Sequence, residues 1–490
     1  MRRKKPIPPI EKLSIDGIAK KGKGVGRTDE GQVVFVSGAI PGDVVDVNVQ
    51  KKRRRHLEGK VAQLLSKSKD RISPKCDHFG TCGGCTWQQM EYKAQLKHKQ
   101  QEVEDALERI GNVEVPKYEA IVGCEDTFAY RNKMEFSFSA RRWLTAAEIN
   151  GEKEIGDRSA LGFHIPGMWD KVVDISYCHI QPELPNSIRN EVKSYARKKG
   201  LTFFDARDKD GFLRSLMLRT TLLGDIMVVI QFFHEEKEAR EALLNHLVAT
   251  FPNITSLHYI INEKANDSIY DQEIHCYHGT NFITERMGSL NFRITPKAFY
   301  QTNPAQAEVL YTKALAIAEL KKSDVVYDLY TGLGTIAQYV AKSCKKVIGI
   351  ESVPDAIVAA KENAMRNKIT NTDFEVGDMR KVFTNDFVAR HGKANVIITD
   401  PPRDGMHKDV INQLLELKTP KILYISCNTQ TQARDLALLN EIYKVNVNYL
   451  SYTVVSVSTS TENFILLSAI RFSSIYHPPQ KYSKSTGHCH

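Results

Sequence analysis

Two short apolar runs rich in β-branched residues occupy 396–399 and 422–426, with a polar segment of helical length between them. Apolar runs that alternate with helices predict buried parallel strands, and such sheets bind ligands beyond the carboxyl ends of their strands. The first run is followed by Asp400 and Arg403, and the second by Cys427. We therefore expect an acid and a thiol at one sheet edge. A thiol there is a candidate nucleophile, and a small buried core residue is the alternative interpretation.

The alternation of strands and helices extends over residues 291–472 and predicts a nucleoside site. One predicted strand runs into a turn containing Gly332 and Gly334, and the next strand ends on Glu351. Glycines let a nucleoside approach the backbone, and an acid at the end of the second strand can bind both ribose hydroxyls. This spacing therefore indicates a nucleoside cofactor.

Two further acids refine that prediction. Asp328 directly precedes the glycine turn, where it repels phosphate, so S-adenosylmethionine fits the site better than NAD. A third predicted strand, 374–376, ends just before Asp378, an edge position suited to adenine. Glu462 precedes a last apolar strand and is therefore expected near the same edge.

The amino-terminal region has a different pattern. Residues 10–65 alternate glycines with short β-rich runs, which predicts a small closed barrel. Residues 1–60 hold 15 Lys/Arg against 7 Asp/Glu, including the basic run 51–55. Excess charge of this kind favours a polyanion partner, and a solvated basic tail is the alternative.

The middle of the chain predicts a mixed α+β domain. A helix is expected over 86–118, with Gly111 near its end. Strands are expected at 133–139, 216–220, 226–232 and 257–261. Arg131 and Arg219 at predicted strand ends are candidates for RNA contacts, with ordinary surface charge as the alternative.

Three cysteines, Cys76, Cys82 and Cys85, lie within ten residues among several glycines. Soft ligands at this spacing indicate a metal centre, either a structural zinc with His78 as a ligand or a four-iron cluster. A cluster needs a fourth, distant cysteine, and Cys178 after a predicted strand is a reasonable candidate.

Length and composition limit the class of protein. The 490 residues imply two to four domains, and contents of 42% hydrophobic and 26% charged residues are those of a globular protein. The sequence shows neither a membrane-length apolar run nor the apolar core of a secretory signal, so we expect a cytosolic protein. The cysteine spacing does not suggest a disulfide framework. Separately, we expect a monomer.

Together these motifs resemble the RNA uracil-5-methyltransferases that carry a TRAM domain and an iron–sulfur cluster, most closely the bacterial 23S rRNA (uracil-5-)-methyltransferase family. The resemblance covers roughly 10–470. Besides the cysteines, it rests on Phe299-Tyr300-Gln301-Thr302-Asn303, Gln306-Ala307-Glu308, the Asp328 to Gly334 turn, Asp400-Pro401-Pro402-Arg403 with Gly405, and Ser426-Cys427-Asn428.

The resemblance implies a Rossmann-like α/β methyltransferase domain (291–472) that depends on S-adenosylmethionine. It also implies an OB-like TRAM β-barrel (1–68) and a central α+β domain with the iron–sulfur cluster (69–290), leaving 473–490 as a disordered tail. The implied partner is RNA, with 23S rRNA favoured and tRNA as the alternative.

Site residues follow from the same resemblance. Cys427 matches the nucleophile and Glu462 the base that abstracts a proton. The S-adenosylmethionine contacts are Gln301, Tyr330, Glu351 and Asp400, with Gly332, Gly334 and Asp378 nearby; the [4Fe-4S] ligands are Cys76, Cys82, Cys85 and Cys178.

The sequence departs from the family pattern at two places. Thr429 stands where the family usually has a proline, and the usual His-Val-Glu is replaced by a segment ending in Ser-Thr-Glu462. The altered segment makes a decayed, RNA-binding homologue an alternative. An amino-methyltransferase is a further alternative, because Asp400-Pro401-Pro402 resembles the Asp/Asn-Pro-Pro-aromatic motif of those enzymes. The intact Cys427, Asp400 and Glu462 argue against the first. Arg403 in place of an aromatic residue argues against the second, as does Cys427.

Overall fold

The computed structural model describes residues 7–115, 118–452 and 466–474. These fall into two units. The first contains 7–101, 121–308 and Tyr452, and the second contains 102–115, 118–120, 309–451 and 466–474. Glu462 and the predicted tail lie outside the described residues, apart from the first two residues of the tail. The predicted domain boundaries remain predictions.

The first unit begins with a closed five-stranded barrel in the order β1-β2-β3-β5-β4. Buried positions alternate with more exposed ones along its strands, because successive side chains of a strand point to opposite faces. In Val33–Ser37, for example, Val34 and Val36 are buried and the other three residues are half-buried. The predicted barrel is confirmed; its strands are β1 (Ile10–Ala19), β2 (Lys23–Arg27), β3 (Val33–Ser37), β4 (Val44–Lys52) and β5 (His56–Ser66), with a short 3-10 turn at Lys20–Gly22.

A helix, α1 (Tyr92–Arg109), follows the cysteine-rich segment and is shorter than the predicted 86–118. It begins late because Trp87 and Met90 are buried in a turn whose carbonyls accept hydrogen bonds from the Gln95 amide, at 3.1 and 2.8 Å. After α1, the Gly111 N–H donates to Ala106 O at 3.0 Å.

The central part of the first unit is a seven-stranded sheet in the order β12-β11-β10-β9-β6-β7-β8. All of its pairings are antiparallel except β10 with β11. The predicted α+β character is confirmed, and two predicted strands have the observed bounds. The elements are β6 (Lys133–Ser139), α2 (Ala146–Ile149), β7 (Ala160–His164), β8 (Val172–Asp174), α3 (Glu183–Lys198), β9 (Leu213–Thr220), β10 (Ile226–Phe232), α4 (Lys237–Thr250), β11 (Ser256–Ile261), β12 (His275–Gly279) and the hairpin β13 (Ile283–Met287) and β14 (Leu290–Ile294).

The second unit contains a seven-stranded sheet in the order β17-β16-β15-β18-β19-β21-β20. The five strands from β17 to β19 pair in parallel, as predicted for buried apolar runs, whereas β21 is antiparallel to β19. The elements are α5 (Pro304–Ala318), β15 (Val325–Leu329), α6 (Thr335–Ala341), β16 (Lys346–Glu351), α7 (Pro354–Arg366), β17 (Thr372–Val376), α8 (Met379–Val382), α9 (Asn385–His391), β18 (Val396–Thr399), α10 (Lys408–Leu417), β19 (Lys421–Ser426), α11 (Thr429–Leu439), β20 (Tyr443–Tyr452) and β21 (Leu466–Ser474).

This order places the strand reversal between β15 and β18, which are neighbours although two strands separate them in sequence. Open parallel sheets bind ligands at such a reversal, beyond the carboxyl ends of the strands. Within the described residues, no helix has the length and apolar character needed to cross a bilayer.

Candidate active site and cysteine cavity

The glycine turn after β15 has an unusual backbone. Tyr330, Gly332 and Gly334 all have positive φ angles, of 66°, 54° and 72°. A side chain at Gly334 would lie 2.9 Å from the ring of Phe374, so this glycine is required for packing as well as for its φ. A Cβ at Gly332 would meet no atom within 4 Å, which leaves open space beside the turn.

Asp328 stabilises this turn from inside the protein. Its side chain is fully buried and accepts hydrogen bonds from the Thr331 hydroxyl and from the Ala337 N–H, the latter at 3.0 Å. Burial raises the pKa of this carboxyl to about 7, and the nearby Glu351 carboxylate acts in the same direction. Asp328 thus has a structural role in the turn that the sequence argument did not predict.

Glu351 ends β16 beside the same turn. One carboxylate oxygen accepts the Gly332 N–H at 3.2 Å, and the other accepts the N–H groups of Ser352 and Val353 at 2.7 and 3.0 Å. The Ser352 hydroxyl also donates to that second oxygen, at 3.0 Å. A carboxylate oxygen has about two lone-pair positions, so Glu351 is held in place and its Oε2, which accepts only the Gly332 N–H among the described hydrogen bonds, can still accept a ribose hydroxyl.

Asp378 follows β17 and caps α8. Its carboxylate accepts the Arg380 N–H at 2.9 Å and Arg380 Nε at 3.0 Å. These hydrogen bonds and the guanidinium charge hold the pKa of Asp378 well below its usual range. An adenine contact at this residue therefore has to share a carboxylate that Arg380 already engages.

The structure places Asp400, Arg403 and Cys427 close together, just after the paired strands β18 and β19. Burial, with a further contribution from the Asp400 carboxylate, raises the pKa of the Cys427 thiol to about 11. Arg403 lowers the thiol pKa by its charge and by a hydrogen bond, but the other two effects outweigh it. Burial likewise raises the pKa of Asp400 to about 7, with a smaller contribution from Asp328.

The turn that carries Cys427 is fixed by its two neighbours. The Ser426 hydroxyl accepts the Asn428 N–H and donates to Asn428 O, both at 3.1 Å. The Asn428 side chain caps α11 by accepting the Gln430 N–H at 3.2 Å and donates to Arg403 O at 2.9 Å. Because these bonds hold the turn, Thr429 can replace the family's proline as the first residue of α11.

Asp435 on α11 was missed by the sequence analysis. This buried carboxylate accepts the Met406 N–H at 2.8 Å and the Tyr424 hydroxyl at 2.7 Å. A Cβ at Gly405, whose φ is 77°, would lie 2.5 Å from Asp435. Asp435 therefore ties the loop after β18 to the helix after Cys427, together with Thr431, which donates to Arg403 O at 3.0 Å. The partners of Asp435 are distant in sequence, so no local pattern signals its role.

Gln301 belongs to the first unit, in a loop that buried polar residues hold. Asn132 donates from its backbone to Thr302 O at 2.9 Å and from its side chain to Gln301 O at 3.1 Å. Arg219 donates to Ala298 O at 3.0 Å. Arg219 is only 1% exposed, so the prediction that it faces RNA is wrong. Its charge stabilises this loop instead.

Cys76, Cys82, Cys85 and Cys178 line one cavity, together with apolar side chains that include Met134, Phe163 and Ile175. Burial raises the pKa of all four thiols. Neighbouring cysteines contribute to this rise at Cys82, whose pKa is about 12, and at Cys85 and Cys178, whereas Asp77 contributes at Cys76.

His78 also lines the cavity, but its Nε2 accepts the Ser176 N–H at 3.0 Å. In the described part of the chain, no three His, Cys, Asp or Glu side chains converge on a single metal-ion position. The cysteines thus surround a cavity without meeting at one point.

The basic run 51–55 lies at the β4–β5 turn of the barrel and is exposed along its whole length. Arg53 approaches Glu58 at 3.9 Å, a weak pairing at the surface. This turn can therefore contact a polyanion through its side chains.

Comparison with known proteins identifies the family. Residues 213–453 match the family model of tRNA (Uracil-5-)-methyltransferases, and residues 10–62 match the TRAM domain. An RNA methyltransferase of Porphyromonas gingivalis is 48% identical over 87% of this chain and 93% of its own length. The chain belongs to the RNA uracil-5-methyltransferase family. A second RNA methyltransferase, from Bacteroides thetaiotaomicron, is 44% identical over 87% of this chain and 95% of its own length.

A solved structure shares the fold of this methyltransferase. It is the Pyrococcus abyssi tRNA (uracil-54, C5)-methyltransferase in complex with S-adenosyl-L-homocysteine, with a TM-score of 0.70 and 23% identity over 94% of this chain and 100% of that one. The predicted TRAM barrel and S-adenosylmethionine-dependent α/β fold are thereby confirmed.

Proposed function

We propose that the protein methylates carbon 5 of a uridine in 23S rRNA through a covalent bond from Cys427. The observation that carries this proposal is the placement of Cys427, Asp400 and Arg403 at adjacent strand ends, beside the glycine turn. A methyltransferase that acts on an amino group has no need for a thiol at this edge.

Carbon 5 of uracil is too weak a nucleophile to accept a methyl group directly. The Cys427 thiolate adds to carbon 6 and turns the ring into an enolate whose carbon 5 is electron-rich. S-adenosylmethionine, when bound, would supply the sulfonium methyl group to carbon 5 and leave as the thioether S-adenosylhomocysteine. Glu462, which lies outside the described residues, then removes the proton from carbon 5, and the ring expels the Cys427 thiolate.

Charges near Cys427 control when this addition occurs. Arg403 stabilises the thiolate, whereas an ionised Asp400 opposes it. Because the pKa of Asp400 is raised to about 7, a neutral Asp400 is accessible near neutral pH and can donate a hydrogen bond to a uracil carbonyl. Asp400 would then orient the base and stop repelling the thiolate.

For S-adenosylmethionine we propose a site on the second unit. Gly332 offers open space at the turn, Gly334 sets the shape of the turn, and Glu351 Oε2 accepts a ribose hydroxyl. Tyr330, Asp378 and Asp400 complete this site. Gln301, which belongs to the first unit, remains a contact that the resemblance predicts.

We further propose that Cys76, Cys82, Cys85 and Cys178 hold a [4Fe-4S] cluster. Each thiolate of such a cluster binds a separate iron atom, so four cysteines around an apolar cavity fit this donor set without converging on one ion. The alternative zinc site would use His78, whose Nε2 is occupied by Ser176. Iron and acid-labile sulfide in anaerobically purified protein support the cluster, and zinc alone overturns it.

The substrate is tested by tritium release. The protein is incubated with S-adenosylmethionine and with 23S rRNA or tRNA that is unmodified and tritiated at uracil carbon 5. Release from 23S rRNA that is lost in Cys427→Ala supports the proposal. Release from tRNA alone keeps the chemistry and replaces the substrate. The match to the tRNA (Uracil-5-)-methyltransferase family favours this alternative. No release from either RNA favours an RNA-binding homologue without catalysis.

A further inference from the structure

The hairpin between β7 and β8 presents a tryptophan to solvent. Trp169 is 65% exposed and Met168 beside it is 42% exposed, whereas Trp87 is buried. Large aromatic side chains normally contribute their area to a core or to an interface. An exposed tryptophan therefore needs a reason at this position.

The backbone on both sides of Trp169 is fixed. The Ile165 N–H donates to Lys171 O at 2.9 Å and closes the hairpin, and the Met168 N–H donates to Ile165 O at 2.9 Å across a turn. Pro166 and Gly167, whose φ is 81°, are the residues that a type II turn requires at its centre. Trp169 thus lies in a tight, hydrogen-bonded hairpin, and its side chain is exposed there.

At this hairpin the acid is buried, and the cation that pairs with it is exposed. Its acid, Asp170, is buried and accepts Arg207 Nε at 2.6 Å, while the Arg207 side chain remains 54% exposed. Lys171 lies close enough to Asp170 to act on its carboxylate. Asp205 and Asp208, in the loop of Arg207, are paired with Arg141 at 2.6 and 2.8 Å.

Strand register places this hairpin at the end of the central sheet where β6 begins. Lys133, the first residue of β6, pairs with Arg219, whose side chain holds the loop of Gln301. Because β7 is antiparallel to β6, with Ser137 opposite Gly162, its last residues and the hairpin point to that same end. Trp169 and the loop of Gln301 therefore extend from one end of one sheet.

We propose that Trp169 is a base-stacking contact for single-stranded RNA, with Lys171 and Arg207 binding the adjacent phosphates. Single-stranded nucleic acid is bound by aromatic side chains that stack on bases next to cations that bind the backbone. The proposal rests on RNA being the substrate, and it extends the RNA footprint beyond the TRAM barrel to the end of the central sheet that carries the Gln301 loop.

Fluorescence anisotropy of the full chain with a fluorescein-labelled, uridine-rich single-stranded RNA tests this contact without S-adenosylmethionine. Trp169→Ala is expected to weaken binding about tenfold, and Trp169→Phe to retain most of it, because stacking needs only an aromatic face. The control is Ile149→Ala, an apolar residue of the same unit that is 64% exposed. Melting temperatures confirm that each variant is folded.

A base contact also predicts which RNA is affected. Trp169→Ala should leave the affinity for a duplex RNA and the salt dependence unchanged, because duplex bases are already stacked and no phosphate contact is lost. Lys171→Gln should instead reduce the salt dependence. Equal affinities of Trp169→Ala and Ile149→Ala for the single strand would overturn the proposal and assign the hairpin to a protein partner. Tritium release by the wild-type protein reports on the proposed function separately.

Discussion

Cys427 and the four cysteines of the cavity are all thiols whose pKa is raised by burial, but they have different neighbours. Cys427 has one arginine that favours its thiolate and one acid that opposes it. The cavity cysteines mainly have each other and apolar side chains, and each deprotonation there makes the next one harder. The first environment suits a thiolate that forms and leaves during a reaction. The second suits thiolates that only a metal centre can neutralise.

The largest expected effect comes from removing the single reactive thiol. Cys427→Ala should lower methyl transfer by about four orders of magnitude or more, since no other group can activate carbon 5. Cys344→Ala is the matched control, because Cys344 is a buried cysteine of the same unit whose thiol contacts backbone carbonyls. Single-turnover kinetics with labelled S-adenosylmethionine measure the difference. Equal losses in both variants would contradict a nucleophilic role.

Cys82→Ser tests the other environment. We expect almost complete loss of iron and sulfide together with a lower melting temperature, because the remaining thiols line a cavity that no longer offers four ligands. Elemental analysis and visible absorption measure the metal content. Cys276→Ser, at an exposed cysteine of the same unit, should retain the full content.

Asp435→Asn separates the positioning of the active-site loop from its chemistry. The carboxamide has the same shape but is a weaker acceptor for Met406 N–H and Tyr424, so kcat should fall about tenfold with little change in the KM for S-adenosylmethionine. Asp409→Asn on the exposed face of α10 is the control. A raised KM with an unchanged kcat would argue against this role.

The sequence predicted the strands better than it predicted these supporting contacts. The parallel strands and the grouping of Cys76, Cys82 and Cys85 follow from local patterns, because apolar runs and short ligand spacings lie within short stretches of sequence. Asp435 and the buried Arg219 depend on contacts between distant segments, and a charged residue at a strand end resembles surface charge until its burial is known. The predicted helix over 86–118 is too long because Trp87 and Met90 form a buried turn before α1 begins at Tyr92.

The pH dependence of Cys427 alkylation measures the balance between Arg403 and Asp400. A thiol whose pKa is raised to about 11 reacts through its thiolate, so the rate should rise about tenfold per pH unit through the range below that value. Arg403→Gln removes a cation that lowers this pKa and should reduce the rate about tenfold at each pH. Iodoacetamide labelling followed by mass spectrometry resolves the rate at this cysteine, with Cys344 as the internal reference.

The smallest effect concerns the turn after Cys427. Asn428 has φ −141° and ψ 104°, close to the conformation preferred before proline, and Thr429 is the first residue of α11. Thr429→Pro should therefore stabilise the protein by about 0.5–1 kcal/mol through the unfolded chain, without changing activity. Thr429→Ala is the control, and chemical denaturation measures both. A loss of activity in Thr429→Pro would show that the turn needs freedom.

The antiparallel strand β21 has a consequence for synthesis of the chain. It pairs with β19 in the register Ser426 to Ser468, so the strand leading to Cys427 has one open edge until residues about 40 positions later leave the ribosome. At about 5–20 residues per second, that edge is exposed for roughly 2–8 s, and β19 is largely buried and apolar in the folded protein. An unprotected apolar edge can pair with another nascent chain. Premature termination before β21 should therefore produce an aggregating polypeptide instead of a shortened enzyme.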